Sequence, residues 1–137
     1  MAYLFDTDAL SEPLRRRPSQ PYVTWLASVP REDQFTSAVC IGEMFKGAYR
    51  VADAARHLRN IKSHVLPAVT VLPYDVAVAR VYGALEAALA GEGRGLADAD
   101  LQIAATAIHH GLELVTGNAR HFARVPGLRL RPMTDRR

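Results

Sequence analysis

Apolar positions along the chain switch between a strand-like and a helix-like period, and the switches mark out its elements. Residues 2 to 6, A-Y-L-F-D, are an apolar run without alternation. It reads as a short strand buried on both faces, with Asp6 at its carboxyl end. Tyr22 to Val29 places Val23, Leu26 and Val29 on one helical face with Trp25 at its edge, and Pro30 ends it. Gln34 to Val39 reads as a second strand. Cys40 to Val51 reads as a helix with Met44, Phe45 and Ala48 on one face. Ala52 to Leu66 is amphipathic, with Leu58, Ile61 and Val65 inward and Arg56, His57, Arg59, Lys62 and His64 outward. Pro67 breaks it, Val69 to Leu72 is a strand, and Asp75 caps a long helix reaching Leu89.

A glycine-rich loop, Gly91 to Gly95, leads into G-L-A-D-A-D-L-Q-I-A-A-T-A-I-H-H-G, ending at Gly111. From Leu101 to Ile108 only Gln102 and Thr106 are polar, so this helix should lie against a sheet. Asp98 suits the N-cap, Asp100 the first turn, and Gly111 the left-handed residue that stops the helix. Two acids at the start of a buried helix either complement its dipole or face a cleft. The arrival of other acids at the same place decides between these. After Gly111 come a strand, Leu112 to Val115, ending at Thr116-Gly117-Asn118, and a short turn or helix at His121-Phe122. An edge strand at Leu128 to Leu130 follows, then a short basic tail from about residue 131. This alternation predicts one α/β domain over residues 1–137: three layers, α/β/α, around a mainly parallel central sheet.

A chain of 137 residues suffices for one core burying about two-thirds of the unfolded surface. It has no apolar run near the roughly 20 residues of a membrane span, and Met1 to Asp6 lacks the pattern of a signal peptide. A single Cys40 excludes a disulfide within the chain and points to a reducing, cytoplasmic setting. Of 17 Lys and Arg, only Lys46 and Lys62 are lysine. Guanidinium groups suit phosphate, although a net charge of +3 does not by itself establish a nucleic-acid partner.

In the predicted fold three segments deliver polar groups to one sheet edge: Asp6 with Asp8, Asp98 with Asp100, and Thr116 with Asn118. Glu43 can join them from the helix after the second strand, although on spacing alone it reads as a surface acid near a helix start. Carboxylates crowded together repel one another unless a cation lies between them. Oxygen ligands without a Cys-His or His-x-x-x-His arrangement favour Mg²⁺ or Mn²⁺ over zinc, and such an ion is suited to phosphodiester hydrolysis.

Four motifs in order, D-T-D-A-L-S-E-P-L, S-A-V-C-I-G-E-M-F-K-G, A-D-A-D-L-Q-I-A-A-T-A and L-V-T-G-N-A-R-H-F-A-R-V-P-G-L-R-L, resemble the PIN domain of VapC-type toxins from Tyr3 to Leu130. The resemblance implies a Mg²⁺-dependent ribonuclease in which Mn²⁺ can substitute, and which leaves 3′-hydroxyl and 5′-phosphate ends. It also implies a VapB-like antitoxin partner, and a homodimer or toxin-antitoxin hetero-oligomer. By motif, Asp6, Glu43 and Asp100 match the acids of the site, with Asp6 and Asp100 as metal ligands. Asp98 is an additional catalytic carboxylate one step out. Asn118 stands where many relatives have a fourth acid, Asp8 replaces a frequent Asn, and Cys40 a frequent Thr or Ser. Arg15 to Arg17, Arg94, Arg120 and Arg124 are candidates to follow the RNA backbone, and exposed apolar positions between Tyr22 and Leu66 to receive the antitoxin.

Two other readings fit parts of the pattern. L-F-D-T-D also resembles the D-x-D of haloacid-dehalogenase-type phosphatases, with Asp6 as nucleophile, Asp8 as acid and Ser37 after the second strand. An eroded site kept only for partner binding is the other.

Overall fold

The computed structural model describes residues 1–92 and 96–133. Five strands, β1 (Tyr3–Phe5), β2 (Gln34–Ser37), β3 (Thr70–Leu72), β4 (Glu113–Thr116) and β5 (Leu130–Pro132), pair in the order β3-β2-β1-β4-β5. Every pairing is parallel: Leu4 stands beside Phe35 and Leu114, Phe35 beside Thr70, and Leu114 beside Leu130. The sheet is therefore wholly rather than mainly parallel. Crossover connections carry the chain outward from β1 to β3 and back past β1 to β4, with helices on both faces. The direction of progression reverses between β1 and β4, and a crevice opens outside their carboxyl ends.

Among the described residues, seven α-helices connect the strands: α1 (Thr7–Ser11), α2 (Gln20–Ala27), α3 (Ala38–Arg50), α4 (Ala54–Asn60), α5 (Val76–Ala90), α6 (Asp98–His110) and α7 (Ala119–Phe122). α2 covers β1 with aromatic rings, Trp25 meeting Tyr3 edge-on at 5.1 Å and Tyr22 lying buried beside it. The inward residue of this helix is thus Tyr22, whose hydroxyl donates to Ala9 O at 2.8 Å, while Val23 and Leu26 are half-buried. Arg131 of β5 stacks over Trp25 at 4.3 Å and ties the edge strand to the aromatic cluster.

Several boundaries differ from the expected ones, each for a local reason. α3 starts at Ala38, because the Ser37 hydroxyl accepts from Cys40 N and caps it there. The expected helix Ala52 to Leu66 is broken up: α4 ends at Asn60, a π turn covers Ile61–Val65, and a 3₁₀ turn at Leu66–Ala68 takes in Pro67. Ile61 and Val65 are still the buried positions. Asp75 caps α5 by accepting from Val78 N at 3.0 Å. Residues 130–132 form β5 rather than a tail, and Met133 is buried; the basic residues beyond it, with Gly93 to Gly95 of the glycine loop, lie outside the described residues.

The long apolar helix is buried as expected, with Leu101, Ile103, Ala104, Ala105, Thr106 and Ala107 all inside. Alanines let it approach the sheet closely, and Thr106 satisfies its hydroxyl on Gln102 O at 2.8 Å. Gly111, at φ 68°, stops the helix in the left-handed conformation. β4 follows within two residues, so the α6 amino terminus lies at the carboxyl edge of the sheet.

Candidate active site

The chain leaves β1 through Asp6, which is at once the last residue before α1 and its cap: Oδ1 accepts from Ala9 N at 2.9 Å. Only 7% of Asp6 is exposed. Burial pushes its carboxyl up from 3.8 to about 6; bonds from Thr116 and Ala9 pull it down, and the negative charges of Asp8 and Glu43 push it further up. Glu43 comes from the second turn of α3, and its Oε1 accepts the Thr7 hydroxyl at 2.6 Å. Asp100 comes from the first turn of α6 and meets His121 of α7, Oδ2 to Nε2, at 2.9 Å.

These groups line one cavity of about 140 Å³ with Asp8, Asn118 and the apolar Ile103 and Phe122. The fold thus brings Asp6, Glu43 and Asp100 together from three distant segments. Thr116, fully buried at the end of β4, joins two of its walls: its hydroxyl bonds the Asp6 carboxyl and accepts from Asn118 N at 2.9 Å.

Asp98 is the exception. The N-cap is Ala97, and Asp98 is the first residue of α6, pointing to Tyr82 on α5, whose hydroxyl donates to Asp98 Oδ1 at 2.8 Å. Asp98 does not line the cavity. One step of sequence turns a helical side chain by about 100°, so residues 98 and 100 cannot share a face. Sequence reasoning also missed Thr7 and His121. Both lie within the matched motifs, beside Asp6 and three residues after Asn118, but nothing in their spacing indicates a bond to a distant acid.

The donor set is suited to a hard cation, since four carboxylates and the Asn118 amide supply oxygen and mutual repulsion. Among the described residues, no three His, Cys, Asp or Glu side chains converge tightly enough to enclose an ion by themselves. A magnesium-like ion, held by one or two carboxylates and retaining several waters, fits that loose arrangement better than a fully caged one.

A wider groove of about 520 Å³ adjoins the cavity, sharing Thr7 and Glu43 with it and lined further by Leu14, Met44, Ala48 and Ile61. Arg15, Arg16, Arg56 and His57 stand along the same groove. A second apolar hollow of about 420 Å³ lies beyond Leu14, between α1, α2 and the π turn, with Tyr22, Leu26 and Val65 in its wall. His64 is exposed and His57 half-buried, as expected of surface residues, and both border these hollows; Arg94 lies outside the described residues.

An all-parallel five-stranded sheet with acids gathered at its switch point is the arrangement of a nuclease of the PIN class, and the PIN domain family matches residues 3–128. The chain belongs to that family. It is 34% identical over 125 residues to Toxin FitB of Neisseria gonorrhoeae, covering 87% of this chain and 89% of the relative. It is 40% identical over 93 residues to the tRNA(fMet)-specific endonuclease VapC of Shigella flexneri, covering 68% and 70%. The crystal structure of DNA-bound VapBC from Salmonella typhimurium superposes with a TM-score of 0.88 at 26% identity, over 97% of this chain and 98% of that one. Within the family this chain is a ribonuclease of the VapC toxin type.

The phosphatase reading finds no footing. Ser37 uses its hydroxyl to cap α3 and to contact Cys40 Sγ at 3.3 Å, and Lys46, exposed on α3, does not line the acidic cavity.

Proposed function

We infer that Asp6, Glu43 and Asp100 form the catalytic centre of this ribonuclease, that magnesium is its metal, and that an antitoxin tail is its regulator. The observation that carries the reading is the meeting of these three acids in one cavity at the carboxyl ends of β1 and β4. Asp6 and Asp100 are the metal ligands, and Asp8 and Asn118 hold water or substrate at the rim. A magnesium ion bound there would neutralise charge on the phosphodiester and make an attacking water more acidic. Glu43 is suited to accept the proton of that water, because Thr7 occupies one of its oxygens and fixes its direction. Ile103 and Phe122 give the cavity an apolar side, which strengthens the electrostatic action of the acids.

The two hollows beside the site suit an amphipathic antitoxin segment. Half-buried Leu14, Leu26 and Met44 offer apolar seats, the arginines select acidic side chains, and the shared Thr7 and Glu43 lead the segment into the catalytic cavity. None of the described helices is long and apolar enough to cross a membrane, which accords with action on RNA in the cytoplasm.

The test is cleavage of RNA by the purified protein: loss with EDTA, recovery with Mg²⁺ or Mn²⁺, and no recovery in Asp6→Asn. In cells Asp6→Asn should abolish growth arrest yet still bind the antitoxin. Growth arrest by that variant would overturn the mechanism. An eroded site is instead indicated if the wild type neither cuts RNA nor gains thermal stability from millimolar metal.

A further inference from the structure

We propose that His121 is a positioning residue that holds the Asp100 carboxylate in the orientation needed for metal binding. The inference rests on the metal-site reading of Asp100 and assigns a role to a side chain outside the acid set. An ionised carboxylate can only accept, so the 2.9 Å contact has His121 Nε2 as donor and Asp100 Oδ2 as acceptor. Asp100 Oδ1 is then left for another partner, and the carboxylate plane is fixed relative to Asp6 and Asn118 across the cavity.

The imidazole is itself held in place. α7 is a single turn whose Phe122 is buried, and the His121 ring meets the Phe122 ring edge-on at 5.4 Å. His121 N also bonds Asn118 O at 3.1 Å. Asn118 N is fastened to the Thr116 hydroxyl, which also bonds the Asp6 carboxyl. One connected path therefore runs from Asp6 through Thr116, Asn118 and His121 to Asp100, linking two acids 94 positions apart through the turn after β4. Polar partners that orient metal-ligating groups typically change metal affinity or activity by about 10–100-fold when removed.

The pair is not a folding device. The side chains of His121 and Asp100 are 31% and 29% exposed, and a polar contact within reach of water adds little to stability. A positioning role and a structural role therefore differ in what they predict. Glutamine can place an N–H donor near the position of Nε2, whereas alanine cannot.

The experiment compares wild type, His121→Ala, His121→Gln and Asp100→Asn by thermal unfolding over a Mn²⁺ titration, and by steady-state cleavage of a short RNA. The expected result is a metal-free melting temperature nearly equal in wild type and His121→Ala. The metal concentration needed for half of the thermal shift should rise roughly ten-fold in His121→Ala, return most of the way in His121→Gln, and have no counterpart in Asp100→Asn. At saturating metal, KM for RNA should stay near the wild-type value in His121→Ala while kcat falls. Equal Mn²⁺ dependence in His121→Ala and wild type overturns the proposal and leaves the metal-site reading intact. So does a glutamine variant no better than alanine, or a large loss of metal-free stability in His121→Ala. If the wild type itself shows no metal-dependent shift, the metal-site reading fails and this proposal fails with it.

Discussion

The Thr7 hydroxyl and Glu43 Oε1 lie 2.6 Å apart, so a residue on the first turn of α1 fixes the direction of an acid on α3. Both border the acidic cavity and the wider groove, and the bond forms part of the wall between them. Thr7→Val keeps the shape and removes the donor. It is expected to lower kcat for RNA cleavage by roughly ten-fold, the order of loss expected when a catalytic group is no longer aligned, with little change in melting temperature. Wild-type turnover in this variant would show that Glu43 needs no such restraint.

Asp6 makes the metal-free protein pH-sensitive. Its folded carboxyl holds a proton up to about pH 6, whereas the unfolded chain releases it near 3.8. Between these values the folded state binds more protons, so stability falls as pH rises through the window, by up to about 3 kcal/mol in total. In EDTA the melting temperature of wild type should therefore decrease from about pH 4 to 6 relative to Asp6→Asn, which lacks this titration. Added Mg²⁺ should reduce the difference at pH 7. A wild type that gains stability relative to Asp6→Asn over that interval would contradict the placement of a buried, crowded carboxyl at Asp6.

Asp98 is bonded to Tyr82 and lies outside the cavity. Asp98→Asn and Tyr82→Phe should each retain cleavage within about two-fold of wild type, while Asp100→Asn should lose nearly all of it. Loss of activity in Asp98→Asn with unchanged stability would return Asp98 to the catalytic set.

Gly111 tests how the site is fastened to the sheet. An added Cβ would meet nothing within 4 Å, so the cost of Gly111→Ala comes from φ 68° alone. That cost is about 1–2 kcal/mol, and Gly111→Asn should suffer less because asparagine tolerates this conformation. The check is chemical denaturation of both variants, and equal stability of alanine and glycine there would show that the helix end relaxes.

Much of the architecture is legible in the order of the residues because burial and hydrogen bonding act locally there. A short apolar run such as Tyr3 to Phe5, ending at Asp6, suits an inner strand. Leu101 to Ala107, alanine-rich and flanked by first-turn acids and Gly111, reads as a buried helix, and Asp75 and Gly111 mark ends by chemistry that needs no distant partner. The acids Asp6, Glu43 and Asp100 were legible as a set through the family motifs that carry them; by spacing alone Glu43, in the second turn of α3, reads as an ordinary surface acid. The broken course of Ile61 to Ala68 was not legible, because its inward periodicity is that of a continuous helix.

Tertiary structure alone decided which polar groups meet. Asp98 and Asp100 are nearly adjacent in the chain, yet one turns to Tyr82 and the other to His121, because the helix rotates between them and α5 and α7 approach it from different sides. Thr7 with Glu43, and Thr116 with Asp6, are likewise contacts between segments whose distance apart is set by the packing of β1 between β2 and β4. Local sequence fixes the direction of a side chain on its own element. What it touches depends on how the elements pack, and that is a property of the whole core.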